Sequence, residues 1–127
     1  MVQSYKDLIA YQKGYNLSLE IYKVTKDYPP DERFGLISQM RRSAVSIPCN
    51  IAKGYSRKNI KEYIQFLHVA YGSCSELETL ISLSHDLGLL STQIYAGLNT
   101  LQQEVSKLLN ALIKSLSQKK KGTNNAC

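Results

Sequence analysis

The chain has 127 residues, with 16 Lys and Arg against 10 Asp and Glu, a formal charge of +6, three cysteines and no tryptophan. A chain of this length buries roughly two thirds of its unfolded surface as one domain and needs no staples to fold. It contains no run of about 18 apolar residues, and its opening MVQSYKDLIAYQKG mixes charged with apolar residues, so the sequence supports neither a membrane span nor an export signal.

Cys49, Cys74 and Cys127 are an odd number with no export signal, and therefore read as reduced thiols in a cytoplasmic protein. Four segments show helical periodicity. In the first, Leu8, Tyr11, Tyr15, Leu19 and Tyr22 recur at three- and four-residue steps and predict a core-facing stripe, with Ser4 and Asp7 at capping-box spacing. The helix should end before Tyr28-Pro29-Pro30, because a residue preceding proline is driven out of the α region. The second segment is expected to start at Asp31 as its cap, to carry Ile37, Met40, Ala44, Ile47 and Ile51 inward, and to stop at Gly54 as a C′ residue.

The third opens on Asn59 and Glu62, again at capping-box spacing, carries Ile60, Ile64, Leu67, Tyr71, Cys74, Leu77 and Ile81, and is stopped by Gly88. The fourth starts near Ser91 and carries Ile94, Leu98, Leu101, Val105, Leu108, Leu112 and Leu116, the cleanest periodicity in the chain. No window alternates as a strand would. Connections of roughly four residues force consecutive helices to lie antiparallel and adjacent. The fold class is all-α: an up-down-up-down four-helix bundle over residues 1–118, with a basic flexible tail at 119–127.

Pro48 falls inside the second helix. It removes the N–H that would bond the Ala44 carbonyl and crowds that carbonyl with its ring, at about 3 kcal/mol in a helix interior. A break there would leave Pro48 to Lys53 as little more than one turn, too short to stand alone. Because Ile47 and Ile51 stay in step with Met40 and Ala44, the pattern predicts one helix bent at Pro48. A polar stripe, Gln39, Arg42, Ser46, Asn50 and Lys53, runs beside the apolar one with Arg41 next to it, and is either a solvated face or a contact surface. Ser46 and Asn50 are the side chains expected to satisfy the freed Ala44 carbonyl.

Charge is spread unevenly: residues 31–60 carry a net +4, residues 61–90 a net −3 and residues 91–127 a net +4. Such asymmetry is the footprint of polyanion binding, although a small soluble domain commonly carries a net charge of about 2–8. The run Phe34-Gly35-Leu36, Ser38-Gln39, Arg41-Arg42, Ala44-Val45-Ser46-Ile47-Pro48, Asn50-Ile51-Ala52 and Gly54-Tyr55 resembles the signature of the bacterial four-helix bundle protein family. Phe66-Leu67, Ala70, Gly72-Ser73 and Glu76-Leu77-Glu78 also match it, so the similarity spans roughly residues 5–115. That family includes proteins encoded in intervening sequences of large-subunit ribosomal RNA genes and is related to the accessory variability determinant of diversity-generating retroelements. The resemblance implies a homo-oligomer, a five-membered ring, with a positive surface that engages RNA or DNA and, in the retroelement relatives, a reverse transcriptase partner. Two positions depart from the pattern: Lys53 stands where the family usually has an acidic residue, and Tyr11 where an indole is common.

Phosphate contacts are expected from Arg41, Arg42, Arg57 and Lys58, with Lys53 and Lys61 secondary and Lys119 to Lys121 auxiliary. Tyr55 is placed to stack on unpaired bases, whereas Tyr63 reads as core with its hydroxyl at the rim. Arg42 has a second reading of equal weight, an ion pair to Glu76 or Glu78 across the helices or between subunits. His68 and His85 point to different faces of one helix and make no metal pair. Gly72 reads as a point of close helix approach. Glu76 and Glu78 point about 200° apart and do not converge. No catalytic constellation, metal site, cofactor motif or membrane segment is expected. The sequence therefore points to a non-enzymatic, oligomeric nucleic-acid-binding accessory protein; the alternative is a protein scaffold, such as one docking a reverse transcriptase.

Overall fold

A computed structural model describes residues 2–125, with side chains through Lys119. Cys127 and the side chains of Lys120 and Lys121 lie outside the described residues. Four helices, α1 (Ile9–Thr25), α2 (Ser38–Tyr55), α3 (Ile60–Asp86) and α4 (Thr92–Asn125), follow one another, and no strand forms among the described residues; the connections 56–59 and 87–91 are short as expected, whereas 26–37 is longer and carries helical turns of its own. They pack as an antiparallel up-down-up-down bundle around Leu17, Ile21, Met40, Ile47, Ile51, Leu67, Leu77, Ile81, Val105 and Leu109, each at most 1% exposed. Each such side chain contributes about 1.5–3 kcal/mol by leaving water.

The helix ends follow local hydrogen-bond chemistry. Ser4 and Asp7 form the reciprocal capping box on a 3-10 turn, Tyr5–Asp7, that precedes α1. Asn59 accepts from the Glu62 N–H at 2.9 Å and caps α3, and Ser91 Oγ accepts from the Ile94 N–H at 3.1 Å. Gly88, at φ +79°, ends α3: its N–H bonds the His85 carbonyl and the Leu89 N–H bonds the Ser84 carbonyl, both at 2.9 Å. This double closure requires the left-handed backbone that glycine adopts without strain.

Several sequence expectations are corrected. The cap of the second helical region is Glu32 rather than Asp31, and a non-helical Gly35 (φ −107°, ψ −109°) interrupts the turns of 30–37 that lead into α2. Gly54 does not end α2, which runs on to Tyr55; it is buried, and a Cβ there would stand 2.9 Å from Tyr63 Cδ1 and 3.0 Å from Phe66 Cβ. Gly72, expected at a close approach, has nothing within 4 Å of its Cβ position. Tyr71 lies outward.

The stripe of α1 is also reversed. Ala10, Gly14, Leu17, Ser18, Ile21 and Thr25 face the core, whereas Tyr15, Leu19 and Tyr22 are 49%, 53% and 43% exposed. Gly14 explains the choice, since its Cβ position lies 3.0 Å from Ile47 Cγ2 and 3.8 Å from Pro48 Cδ. Only a face of small residues lets α1 approach α2 that closely, and a tyrosine turned inward would have to bury its hydroxyl as well.

α2 is continuous through Pro48, which is buried. The carbonyl that Pro48 leaves without its helical donor is satisfied from α1: Ser18 Oγ donates to the Ala44 oxygen at 2.9 Å. Ser46 and Asn50 do not serve it. They form a separate network in which Asn50 Nδ2 donates to the Ser46 carbonyl and hydroxyl, at 2.7 and 2.9 Å, and Ser46 pairs with Ser73 of α3 at 2.8 Å. At the end of the chain, the backbone of α4 stays helical through 119–125, where the sequence suggests a tail.

Candidate nucleic-acid interface

The antiparallel order brings the end of α2, the 56–59 connection and the start of α3 to one end of the bundle. Lys53, Arg57, Lys58 and Lys61 are all exposed there. The connection is held by its backbone: Ser56 N–H bonds the Ala52 carbonyl at 3.2 Å, Arg57 N–H bonds the Gly54 carbonyl at 3.0 Å, and Ser56 Oγ donates to the Lys53 carbonyl at 2.7 Å. Arg57 therefore springs from a fixed turn, and its guanidinium lies 4.7 Å from the centre of the Phe66 ring. That stacking positions the cation while leaving its N–H groups open to an acceptor.

Among the described residues Lys13 pairs with Glu104 and Lys23 with Glu20, and His85 Nδ1 lies 3.2 Å from Asp86 Oδ1. None of the four cations takes part. Tyr55 meets Tyr63 edge to face with ring centres 6.1 Å apart. Burial, and secondarily the neighbouring Tyr55, pushes the Tyr63 phenol up to about 12, in keeping with a rim-of-core side chain. Tyr55 is itself half-buried.

Two further cations belong to this end. Gln102 Nε2 donates to the Cys74 carbonyl at 3.0 Å and Lys13 pairs with Glu104 at 3.1 Å, which set the registers of α4 against α3 and α1. Counting along these registers puts Lys114 level with the first turn of α3, and Lys6 at the same end. Both are exposed. Sequence reading missed them because they are remote in the chain, although the antiparallel topology it predicts already implies their meeting.

The remaining candidates lie elsewhere. Arg41 is committed to the end of α1: its Nε donates to Thr25 Oγ1 at 2.9 Å and its guanidinium sits 4.5 Å over the Tyr22 ring. Arg42 is exposed and shares a face of α2 with Lys53, about 16 Å away along the axis and within about 20° around it. The ion pair between these arginines and Glu76 or Glu78 does not form within the chain. Glu76 is exposed, and Glu78 accepts from Gln103 Nε2 at 3.3 Å. Gln39 is exposed, and its carbonyl accepts from Ser43 Oγ at 2.7 Å.

No group of His, Cys, Asp and Glu able to hold a metal ion forms among the described residues, and none of their helices is long and apolar enough to cross a membrane. Exposed cations without acidic partners, on a rigid turn, can take phosphate oxygens.

Comparison with known proteins gives a family and a fold. The model of a family described as 23S rRNA-intervening sequence protein matches residues 6–111. A 1.70 Å crystal structure of a protein of unknown function from the S23 ribosomal protein family of Bacteroides thetaiotaomicron VPI-5482 superposes with a TM-score of 0.79 at 24% identity. The match covers 86% of this chain and 98% of that one, and at this identity it speaks to the fold alone. No curated protein matches the chain at a significant level.

Proposed function

Because this chain belongs to the 23S rRNA-intervening sequence protein family, we propose that it is a non-enzymatic nucleic-acid-binding accessory protein that works as a homo-oligomer, a pentamer. The observation that carries the reading is the set Lys53, Arg57, Lys58 and Lys61, four exposed cations at one end of the bundle with no acidic partner among the described residues. Lys6 and Lys114 stand exposed at the same end of the bundle, and Arg42 shares the face of α2 that carries Lys53. Five copies, each of formal charge +6, carry +30, a field that concentrates a polyanion and makes its binding salt-dependent.

The test is charge reversal at Arg57 and Lys58, with affinity for structured RNA, single-stranded RNA and single-stranded DNA measured across a salt series. Loss of two phosphate contacts should weaken binding to all probes and lower the slope of log K against log salt by roughly 1.4–1.8. A scaffold that docks a reverse transcriptase through its helical faces would keep its protein partner under the same reversal. Wild-type protein that shifts none of the probes at low salt overturns the reading.

A further inference from the structure

The groove between α1 and α2 is aromatic on one side and apolar on the other. Tyr11 and Tyr15 of α1, with Tyr5 of the preceding turn, and Val45, Pro48 and Cys49 of α2 line a space of about 290 Å³. Tyr5 and Tyr11 meet edge to face at 4.9 Å, and Tyr11 and Tyr15 lie 6.0 Å apart, so the rings hold one another in place. Tyr15 stays 49% exposed and Cys49 is exposed, so the groove is open to solvent. No charged side chain lines it. Small-ligand pockets run to about 300–1,000 Å³, so this one has room for a single flat ring system and little more.

Cations bracket the groove. Arg42, Val45, Cys49 and Lys53 follow at steps of three, four and four along one exposed face of α2, which puts a cation beyond each end of the apolar pair. Lys53 also adjoins Ala52, which lines the groove, and Lys6 adjoins Tyr5. All three cations are exposed, and none has an acidic partner among the described residues. The carboxylate closest in the chain to Tyr5, that of Asp7, is spent on backbone, accepting from the Gln3 and Ser4 N–H groups at 2.9 and 3.2 Å.

We propose that the groove takes an unpaired nucleobase of a single strand, laid against the Tyr11 and Tyr15 rings, while Lys6, Arg42 and Lys53 hold the phosphates that flank it. The inference rests on the nucleic-acid reading above and gives it a strand form. An apolar lining with cations only at its rim matches a ligand that is flat and uncharged at its centre and anionic along its backbone. A protein seated over the same face has to bury Arg42 and Lys53 or pair them, whereas a single strand brings phosphates for them together with the base it presents. Stacking on tyrosine tolerates any sequence, because every base offers a π face. A paired base is held inside its duplex and does not enter.

The test titrates the full chain, across a salt series, with three probes of one length: a single-stranded deoxythymidine oligonucleotide, the same backbone built of abasic sugars, and a duplex. Tyr15→Ala should weaken single-strand binding about 5- to 150-fold, the range for one lost base stack, and Tyr15→Phe should keep wild-type affinity. Tyr15→Ala should leave the salt slope and the affinities for the abasic strand and the duplex unchanged, because every phosphate contact remains. Circular dichroism of both variants should match the wild type. A readout that needs no variant follows Cys49 of the wild type by alkylation and peptide mass: the single strand at saturation should slow the reaction, and the abasic strand should not. Wild type that binds abasic and single strands equally, Tyr15→Ala that binds the single strand like wild type, or a Cys49 rate that the single strand does not change each overturn the groove and leave the phosphate reading standing. Wild type that binds none of the probes at low salt overturns both. Cys49 protected without nucleic acid, increasingly with protein concentration, gives the groove to a second copy and overturns the proposal as well.

Discussion

Pro48 takes a donor from the interior of α2, and the loss is made good from another helix. The Ser18 hydroxyl reaches the Ala44 carbonyl at 2.9 Å and its own Gly14 carbonyl at 3.2 Å, and a single O–H favours the shorter of the two. Ser18→Ala should therefore destabilise the protein by about 1–3 kcal/mol, the penalty for a buried carbonyl left unsatisfied. Pro48→Ala returns the N–H that Ala44 lacks, so in that background Ser18→Ala should be much milder. Urea unfolding of the two single variants and the double variant checks this, and additive effects would refute the compensation. Cys74 supplies a pH test at the same scale. Burial first, and the nearby Glu78 next, push its thiol up to about 11 from 9.0, although the hydrogen bond with Gln102 pulls the other way. Between those values the unfolded chain ionises while the folded one keeps its proton. The contribution of this group is complete below pH 9 and is lost as pH rises through 11. Urea midpoints from pH 8 to 10.5 should fall for the wild type and fall less steeply for Cys74→Ala.

Among the elements, glycine has opposite meanings at two positions that look alike in sequence. A methyl at Gly54 meets Tyr63 Cδ1 at 2.9 Å, Phe66 Cβ at 3.0 Å and the Tyr63 carbonyl at 3.1 Å, so α2 and α3 must separate to admit it. Gly54→Ala should destabilise by about 1–3 kcal/mol. Gly72→Ala meets nothing on an exposed turn of α3 and should stabilise by up to about 1 kcal/mol through helix propensity alone. Thermal melts of the pair decide the matter by sign. The contrast also shows what could be read beforehand. Caps at Ser4 and Asn59, the start of α4 near Ser91 and the stop at Gly88 were legible because each is settled by hydrogen bonds within a few residues. The roles of Gly14 and Gly54 depend on what the neighbouring helix presents, and no local pattern encodes that. For α1 the difficulty was sharper. Its Leu17 and Ile21 stripe and its Tyr15, Leu19 and Tyr22 stripe repeat with the same period, so periodicity alone marked two apolar faces without saying which one α2 would cover.

For the molecule as a whole, the antiparallel order turns an uneven charge distribution along the chain into one along the bundle axis. The cations of 53–61 and Lys114 are far apart in sequence and share one end because α4 returns to where α3 began. Of the candidate site, the exposure of Arg57 and Lys58 was legible, since a four-residue connection is exposed by necessity. The detachment of Arg41 was not, because only the docked α1 offers it Thr25 and Tyr22. α4 adds a further element to this end. Its 34 residues span about 51 Å against about 40 Å for the 27 of α3. Stepping from the Cys74–Gln102 register back to Ile60 and forward by the same number of residues arrives at Leu116. Beyond that point the backbone of α4 runs past the first turn of α3, and Ile113 is the last buried side chain among the described residues. Ending the chain after Gln118 leaves Ile113 and every buried side chain before it in place. It removes Lys119, Lys120 and Lys121, so affinity for RNA should drop and its salt slope should flatten, with the effect added to that of reversing Arg57 and Lys58. A truncated chain with full affinity would confine the interface to the turn.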